Sequence, residues 1–446
     1  MKRRGLYSYR HIWNVSFPIM LGLLAQNVMH ITNTIFLGRV GEVEFGASGL
    51  AGIYYFAFFM LGFGFSIGAQ IIISRRNGAG KFDKIGNIVI QGAIFLQVFA
   101  LIIFGASAMF SEHILPYFIQ SKEIYAAAHE YLQWRSYGFF FAFFNIMFRA
   151  FYVGIARTPV LTYNAIVMSV VNVICDYALI FGNFGLPEMG VAGAGLASVI
   201  SEFVSVIFFL TYTYKTVDLE KFGFKRMKFD FSVVKSILNI SIFTVAQYAV
   251  SQSTWFIFFI AMENHGARAL AVTNIVRTFY VMFFIPMNAL STTANTLVGN
   301  TMGANRIDDV IPLIKRISYM SLGILLVVAG VIALAPKFWI SCIVSAKDLS
   351  LVNDTVNALL VLLTAVPICS VSSVLFNSIS GTGNTRIALN LEMITMVLYL
   401  SGIYFIVFHL QASVAICWTV EHIYWGALLI LSFMYLRFGK WREKKV

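Results

Sequence analysis

The sequence predicts an all-α membrane protein of about 12 transmembrane helices in two parallel-repeat six-helix lobes. Three observations lead there: charge is scarce, apolar runs are long and continuous, and polar loop residues recur at a fixed offset. Charged residues are 12% of the chain and hydrophobic ones 59%, with a mean hydropathy of +0.80. A soluble domain carries about 25% charged residues. Half that density cannot cover a water-facing surface but can cover one that faces lipid.

A helix needs roughly 20 apolar residues to cross the bilayer core, and backbone polar groups in lipid must find partners within the segment. The apolar runs are too long and unbroken for barrel strands. Helices are expected at about 12–38, 47–74, 88–110, 126–152, 160–182, 190–214, 236–261, 270–298, 313–335, 353–379, 387–409 and 411–437. The basic start, Lys2-Arg3-Arg4, leads into an apolar stretch like that of a signal peptide. That stretch runs to Leu37 and holds Asn27, His30 and Asn33, so it reads as a retained first helix.

Loop charge sets the orientation. With the N-terminus inside, 24 of the 32 basic residues fall on inside segments. These include Lys2, Arg3, Arg4, Arg226, Lys228 and Lys445. Five fall outside: Arg39, Lys122, Arg268, Lys337 and Lys347. Arg135, Arg149 and Arg277 lie within helices. The bias predicts a multi-pass protein of the cell inner membrane with both termini cytoplasmic. It also accounts for the net charge of +12 without a nucleic-acid partner. Cys175, Cys342, Cys369 and Cys417 lack metal-ligand spacing and read as packing residues.

The long polar stretch 215–235 divides the chain into an N-lobe, 1–214, and a C-lobe, 236–446. A shift of 225 places Gly41 on Gly266, Ser66 on Ser291, Gly78 on Gly303, Ala79 on Ala304, Lys81 on Arg306 and Asp83 on Asp308. A shift of 227 places Gly154 on Gly381 and Thr158 on Thr385. Polar loop residues do not align this way by apolar similarity alone. Six crossings return the chain to the same side, so the repeats are parallel.

Acids inside a bilayer are costly and mark function. Asp176, Glu202, Glu392 and Glu421 all lie within the expected helices. Asn172 and Asp176 are one turn apart on one helix face, where two oxygen-bearing side chains can begin a Na+ site or hold H+. Glu392 and Glu421 are candidates for the same coupling role, or structural partners for Arg149 or Arg277. Glu202 sits one turn from Ser198. Pro18, inside the first helix, removes a backbone donor and should kink it.

Several segments carry a family likeness. They are Phe148–Gly154, Arg157-Thr158-Pro159, Asn172–Gly182, Gly185–Gly193, Thr34–Gly38, Pro18, and Val298-Gly299 before Gly303-Ala304. In this order the chain resembles the multidrug and toxic compound extrusion (MATE) transporters. The resemblance implies an antiporter that exports cationic or amphipathic compounds in exchange for Na+ or H+ by alternating access. It also suggests that the bend at Pro18 changes during transport. Asn172 and Asp176 match polar positions of the N-lobe ion site in one branch, and Ser198 is the nearest match to its hydroxyl. That branch expects an acid on the first helix, where this chain has Asn33. A second branch uses acids on the seventh and tenth helices. Here those helices offer Gln247, Ser251 and Gln252, and Ser370, Ser372 and Ser373, so that site does not carry over. Gln247, Gln252 and Glu202 are taken as substrate-cavity candidates.

The sequence holds no G-x-x-x-x-G-K-[ST] loop, so energy is expected from an ion gradient. It holds no H-E-x-x-H, and Glu421-His422 has no second partner, so an enzyme is not expected. The expected needs are a coupling ion and no cofactor; the expected partners are a small-molecule substrate and membrane lipids, with a functional monomer. A flippase for lipid-linked precursors, of similar architecture, is the alternative reading.

Overall fold

The structure, a computed structural model, describes residues 8–109, 112, 113, 115–119, 121–225, 230–343 and 348–444. Lys2, Arg3, Arg4, Phe110, Arg226, Lys228, Lys347 and Lys445, used in the charge and helix readings, lie outside them. The long elements are α1 (Tyr9–Val40), α2 (Glu42–Gly78), α3 (Ile85–Met109), α4a (Lys122–Arg135) and α4b (Gly138–Gly154). They continue with α5 (Pro159–Ile180), α6 (Gly190–Thr216), α7 (Phe231–Asn264), α8 (Ala267–Gly303) and α9 (Val310–Leu334). The last are α10 (Leu349–Gly381), α11 (Thr385–Ile403) and α12 (Val420–Phe438). Among the described residues, 11 helical segments are long and apolar enough to span a membrane, or 12 if α4a and α4b form one span.

The repeat holds in the backbone, residue for residue, across the second and third helices of each half. α2 and α8 are both 37 residues long and begin 225 positions apart. α3 and α9 keep the same offset, as do the short 3-10 turns before them, Phe82–Lys84 and Ile307–Asp309. Each of α2 and α8 ends on a left-handed residue, Gly80 at φ 71 and Asn305 at φ 55. Lys81 N then donates to Arg76 O, and Arg306 N to Thr301 O. These bonds satisfy carbonyls that a helix end otherwise leaves unpaired. After the fourth span the left-handed residues are Ala156 and Gly383, offset by 227.

The same register governs packing. A Cβ on Gly154 would lie 3.3 Å from Gln70 O and 2.7 Å from Ile73 Cγ2. At the equivalent place, a Cβ on Gly381 would collide with the backbone of Asn295. Glycine is therefore required where the fourth span of each repeat crosses the second. Gly381→Ala should destabilise the fold by about 1–3 kcal/mol through overpacking, read as a lower thermal midpoint in detergent. Gly323→Ala, with nothing near its added Cβ, should leave the midpoint unchanged or raise it.

The fourth span, expected as one helix, is broken. α4a and α4b meet at a 50° bend, where Ser136 Oγ donates back to Leu132 O at 2.6 Å. A Cβ on Gly138 would strike the Arg135 guanidinium and the Glu202 carboxylate. The break is therefore shaped around that buried pair. The stretch expected as a polar linker is also partly structured. Phe222 and Val217 are buried, and Gly86 N donates to Phe222 O at 2.7 Å.

The eleventh helix ends in a π-helical turn at Tyr404–His409, and a short helix at Val414–Cys417 precedes α12. The start of α10 is capped by Asp348, which accepts from Leu351 N at 3.0 Å. That backbone bond, with Arg268 beside it, holds the Asp348 carboxyl below the usual carboxylate range. The cap is thus fully formed at neutral pH and is lost as pH falls through that lowered value. Of the cysteines, Cys369 and Cys417 are buried, Cys175 is intermediate, and Cys342 is exposed rather than packed.

Contacts divide the chain into two units. One comprises Phe17–Val245, and the other Ala246–Val446 with the chain up to Ser16. In the first, α2 packs on α3, α4a and α4b, and α5 lies along α6. In the second, α10 is central and touches α8, α9, α11 and α12.

Candidate functional site

The first unit holds Asp176 and Asn172 on α5, both with no exposed surface. Hydroxyls of α5 grip the backbone of α1 at seven-residue intervals: Thr162 Oγ1 donates to Pro18 O at 2.9 Å and Ser169 Oγ to Ala25 O at 3.1 Å. The next step along this seam brings Asn33 to the two polar residues. With the amide oriented so that its donor meets acceptors, Asn33 Nδ2 lies 2.8 Å from Asn172 Oδ1 and 2.5 Å from Asp176 Oδ2. It also lies 3.1 Å from Met29 O. Asp176 Oδ1 and Asn172 Nδ2 have no hydrogen-bond partner. Ser198 is buried on α6, but no hydrogen bond joins it to these three.

Asn33 thus supplies a fixed N–H donor where an aspartate would supply a second carboxyl. A bare carboxylate with no positive partner is costly in a low-dielectric interior. A proton or a cation at Asp176 would remove that cost. Asn33→Asp would place two carboxyls within hydrogen-bond reach, and like charges so close cannot both ionise. The pair in the variant is expected to retain at least one proton at neutral pH, measurable by potentiometric titration of the folded proteins; two ionised carboxyls would contradict this.

Glu202, one turn from Ser198 in sequence, is engaged elsewhere. Arg135 grips it with both guanidinium nitrogens, Nη1 to Oε2 at 2.9 Å and Nη2 to Oε1 at 2.7 Å. Tyr55 donates to the same carboxylate at 3.3 Å, and its ring lies 3.6 Å from the Arg135 guanidinium carbon. A bidentate, nearly dry ion pair is charge-neutral and has no unmet capacity for an ion.

The second unit gathers Glu392 of α11 and Glu421 of α12. Glu392 Oε1 accepts from Ser251 Oγ and Tyr424 Oη, both at 2.6 Å. Its Oε2 has no partner. Glu421 accepts from Tyr399 at 3.1 Å on Oε1, and from Tyr280 at 3.3 Å and Trp425 Nε1 at 3.2 Å on Oε2. Neither acid has an ion-pair partner among the described residues. Arg277 lies over Phe259 and Arg149 over Phe63. His422, adjacent to Glu421 in sequence, instead meets Thr364 at 2.9 Å. Gln247 is buried with Oε1 unpartnered, and Gln252 is exposed.

A family model described as MatE matches residues 18–178 and again residues 240–405. One match falls on each half of the repeat. The chain belongs to the MatE family. It is 29% identical over 334 residues to the probable multidrug resistance protein NorM of Agrobacterium fabrum, covering 73% of this chain and 70% of that one. It is 25% identical over 448 residues to the probable multidrug resistance protein NorM of Thermotoga maritima, covering 98% and 94%. The fold is that of the crystallised Vibrio cholerae MATE transporter VcmN, with a TM-score of 0.89 at 16% identity over 98% of both chains.

As a MATE protein the chain is a multi-pass membrane transporter of small molecules and not an enzyme. Within it the structure joins Asn33, Asn172 and Asp176, and separately gives Glu392 and Glu421 each its own set of neutral donors. Sequence reasoning missed Tyr55, Arg135, Tyr280, Tyr399, Tyr424 and Trp425. Gly138, three residues past an intramembrane arginine, was the one available signal for the Arg135 pair.

Proposed function

We propose that this MATE transporter is a secondary antiporter of the inner membrane, exporting cationic or amphipathic compounds in exchange for H+ or Na+ by alternating access. Its termini face the cytoplasm, following the loop-charge bias. The carrying observation is the contrast among buried acids. Glu202 is neutralised by Arg135, whereas Asp176 is held by an amide alone. A carboxyl without a counter-charge in the membrane must exchange an ion to change state. Asp176 is thus the obligatory ion carrier, with Asn33 and Asn172 orienting it. Pro18, whose carbonyl is bound by the same helix that carries Asp176, ties the shape of α1 to the occupancy of that centre. The relatives are named as probable multidrug resistance proteins, which agrees with export of drug-like compounds.

The test is efflux of ethidium from proteoliposomes under an imposed proton gradient or, separately, an imposed sodium gradient. Efflux that follows one gradient supports the proposal and names the ion. Efflux indifferent to both overturns it and favours the flippase reading.

A further inference from the structure

We propose that Glu392 is the proton-binding carboxyl of a second ion-coupling centre, in the unit that does not hold Asp176, with Ser251 and Tyr424 as its positioning residues. The proposal rests on the antiport reading and adds a second ion to it.

The oxygens of the two acids meet different sets of donors. Both oxygens of Glu421 are engaged by donors, and one of these, the Trp425 N–H, can only donate. Three neutral donors thus stand in for water around Glu421. At Glu392 both donors converge on Oε1, and among the described residues Oε2 is left as the one oxygen of the two acids without a donor. Glu392 is 1% exposed, so this oxygen has no compensation from bulk water. A proton on Oε2 removes the charge at the atom that is least supported.

The ligand set also favours a proton over a metal cation. Hard cations such as Ca2+ and Mg2+ take six or more oxygens. The hydrogen-bonded cluster at Glu392 offers its own two oxygens and those of Ser251 and Tyr424. A proton needs one. Ser251 and Tyr424 are each half-buried as residues.

The groups around the two acids are neutral or acidic. α12 contributes Tyr424 and His422, the latter turned to Thr364. α11 contributes Tyr399, α8 contributes Tyr280, α7 contributes Ser251, and α10 contributes Cys369 near Glu421. No lysine or arginine pairs with either acid among the described residues. In each cycle Glu392 Oε2 would take a proton from water on one side and return it to water on the other. No other bond forms or breaks.

The experiment measures coupling stoichiometry in proteoliposomes, as the proton gradient that just balances a fixed ethidium gradient. The native chain is expected to exchange about two protons per ethidium, and Glu392→Gln about one, with efflux still running through Asp176. Tyr424→Phe should keep the native number and move the pH of half-maximal efflux, a shift that a purely structural tyrosine would not produce. An unchanged number in folded Glu392→Gln overturns the inference, as does coupling to sodium alone, while the antiport reading survives. No coupling in the native chain overturns both. If Glu392→Gln does not fold, the double variant Ser251→Ala/Tyr424→Phe decides: an unshifted pH profile overturns the inference, and a shifted one supports it.

Discussion

Asp176→Asn is expected to abolish gradient-driven efflux while leaving the fold intact. The substitution conserves shape, so Asn33 can still bond to the remaining carbonyl oxygen in place of Asp176 Oδ2. What is lost is the change of charge. A residue that is always neutral cannot make the state of α5 depend on an ion, so the coupling that runs through α5 is lost. Coupling free energies of this kind are typically about 1–3 kcal/mol, or ~5–150-fold. Efflux against a gradient should fall by about that range, to near the leak of empty liposomes. Binding of ethidium to the detergent-solubilised variant, read by fluorescence anisotropy, should persist but lose the part of its pH or sodium dependence that Asp176 supplies. A variant that transports uphill at the native rate would place the coupling elsewhere.

The second large effect concerns stability. Arg135→Ala leaves Glu202 buried and uncompensated beside Tyr55, and removing one partner of such a pair costs about 3–5 kcal/mol. Little or no folded protein is expected at physiological temperature. The double variant Arg135→Met/Glu202→Leu removes both charges at similar volume. It should recover much of that loss, because well-packed apolar replacements of buried pairs are often neutral or stabilising. Thermal unfolding in detergent, compared across the two singles and the double, gives the coupling directly. Additive effects would mean that the contact between α4a and α6 carries no energy.

These two sites also show how far the sequence could be read. The repeat offsets 225 and 227 were visible because they fall on loop glycines and charges whose roles are local: helix ends and left-handed turns. The structure keeps those offsets at the boundaries of α2 and α8 and at Gly80 and Asn305. Asn172 and Asp176 were legible as a pair because they are one turn apart on one helix. Asn33 was legible only through the family resemblance, since a residue so distant in sequence gives no local signal. The Arg135–Glu202 pair spans 67 residues, and the Glu392–Ser251 bond spans 141. No periodicity encodes such partners.

The break in the fourth span was missed for a related reason. The bend holds no proline, and Tyr137 and Gly138 pass directly into the apolar run of α4b, so the pattern gives no stop while the backbone turns around an ion pair made with another helix. Adjacency misled at Glu421-His422: consecutive residues on a helix point about 100° apart, and the histidine faces Thr364 instead.

An exchanger must run in either direction, so the most direct measurement is the reverse one. Proteoliposomes holding a pH dye and an equal pH on both sides are given an ethidium gradient alone, with the membrane potential clamped. Ethidium moving down its gradient should drive protons the opposite way in the native chain, and much less in Asp176→Asn. Ethidium movement with no counter-movement of protons, or of sodium in a parallel run with a sodium dye, would contradict antiport by this protein.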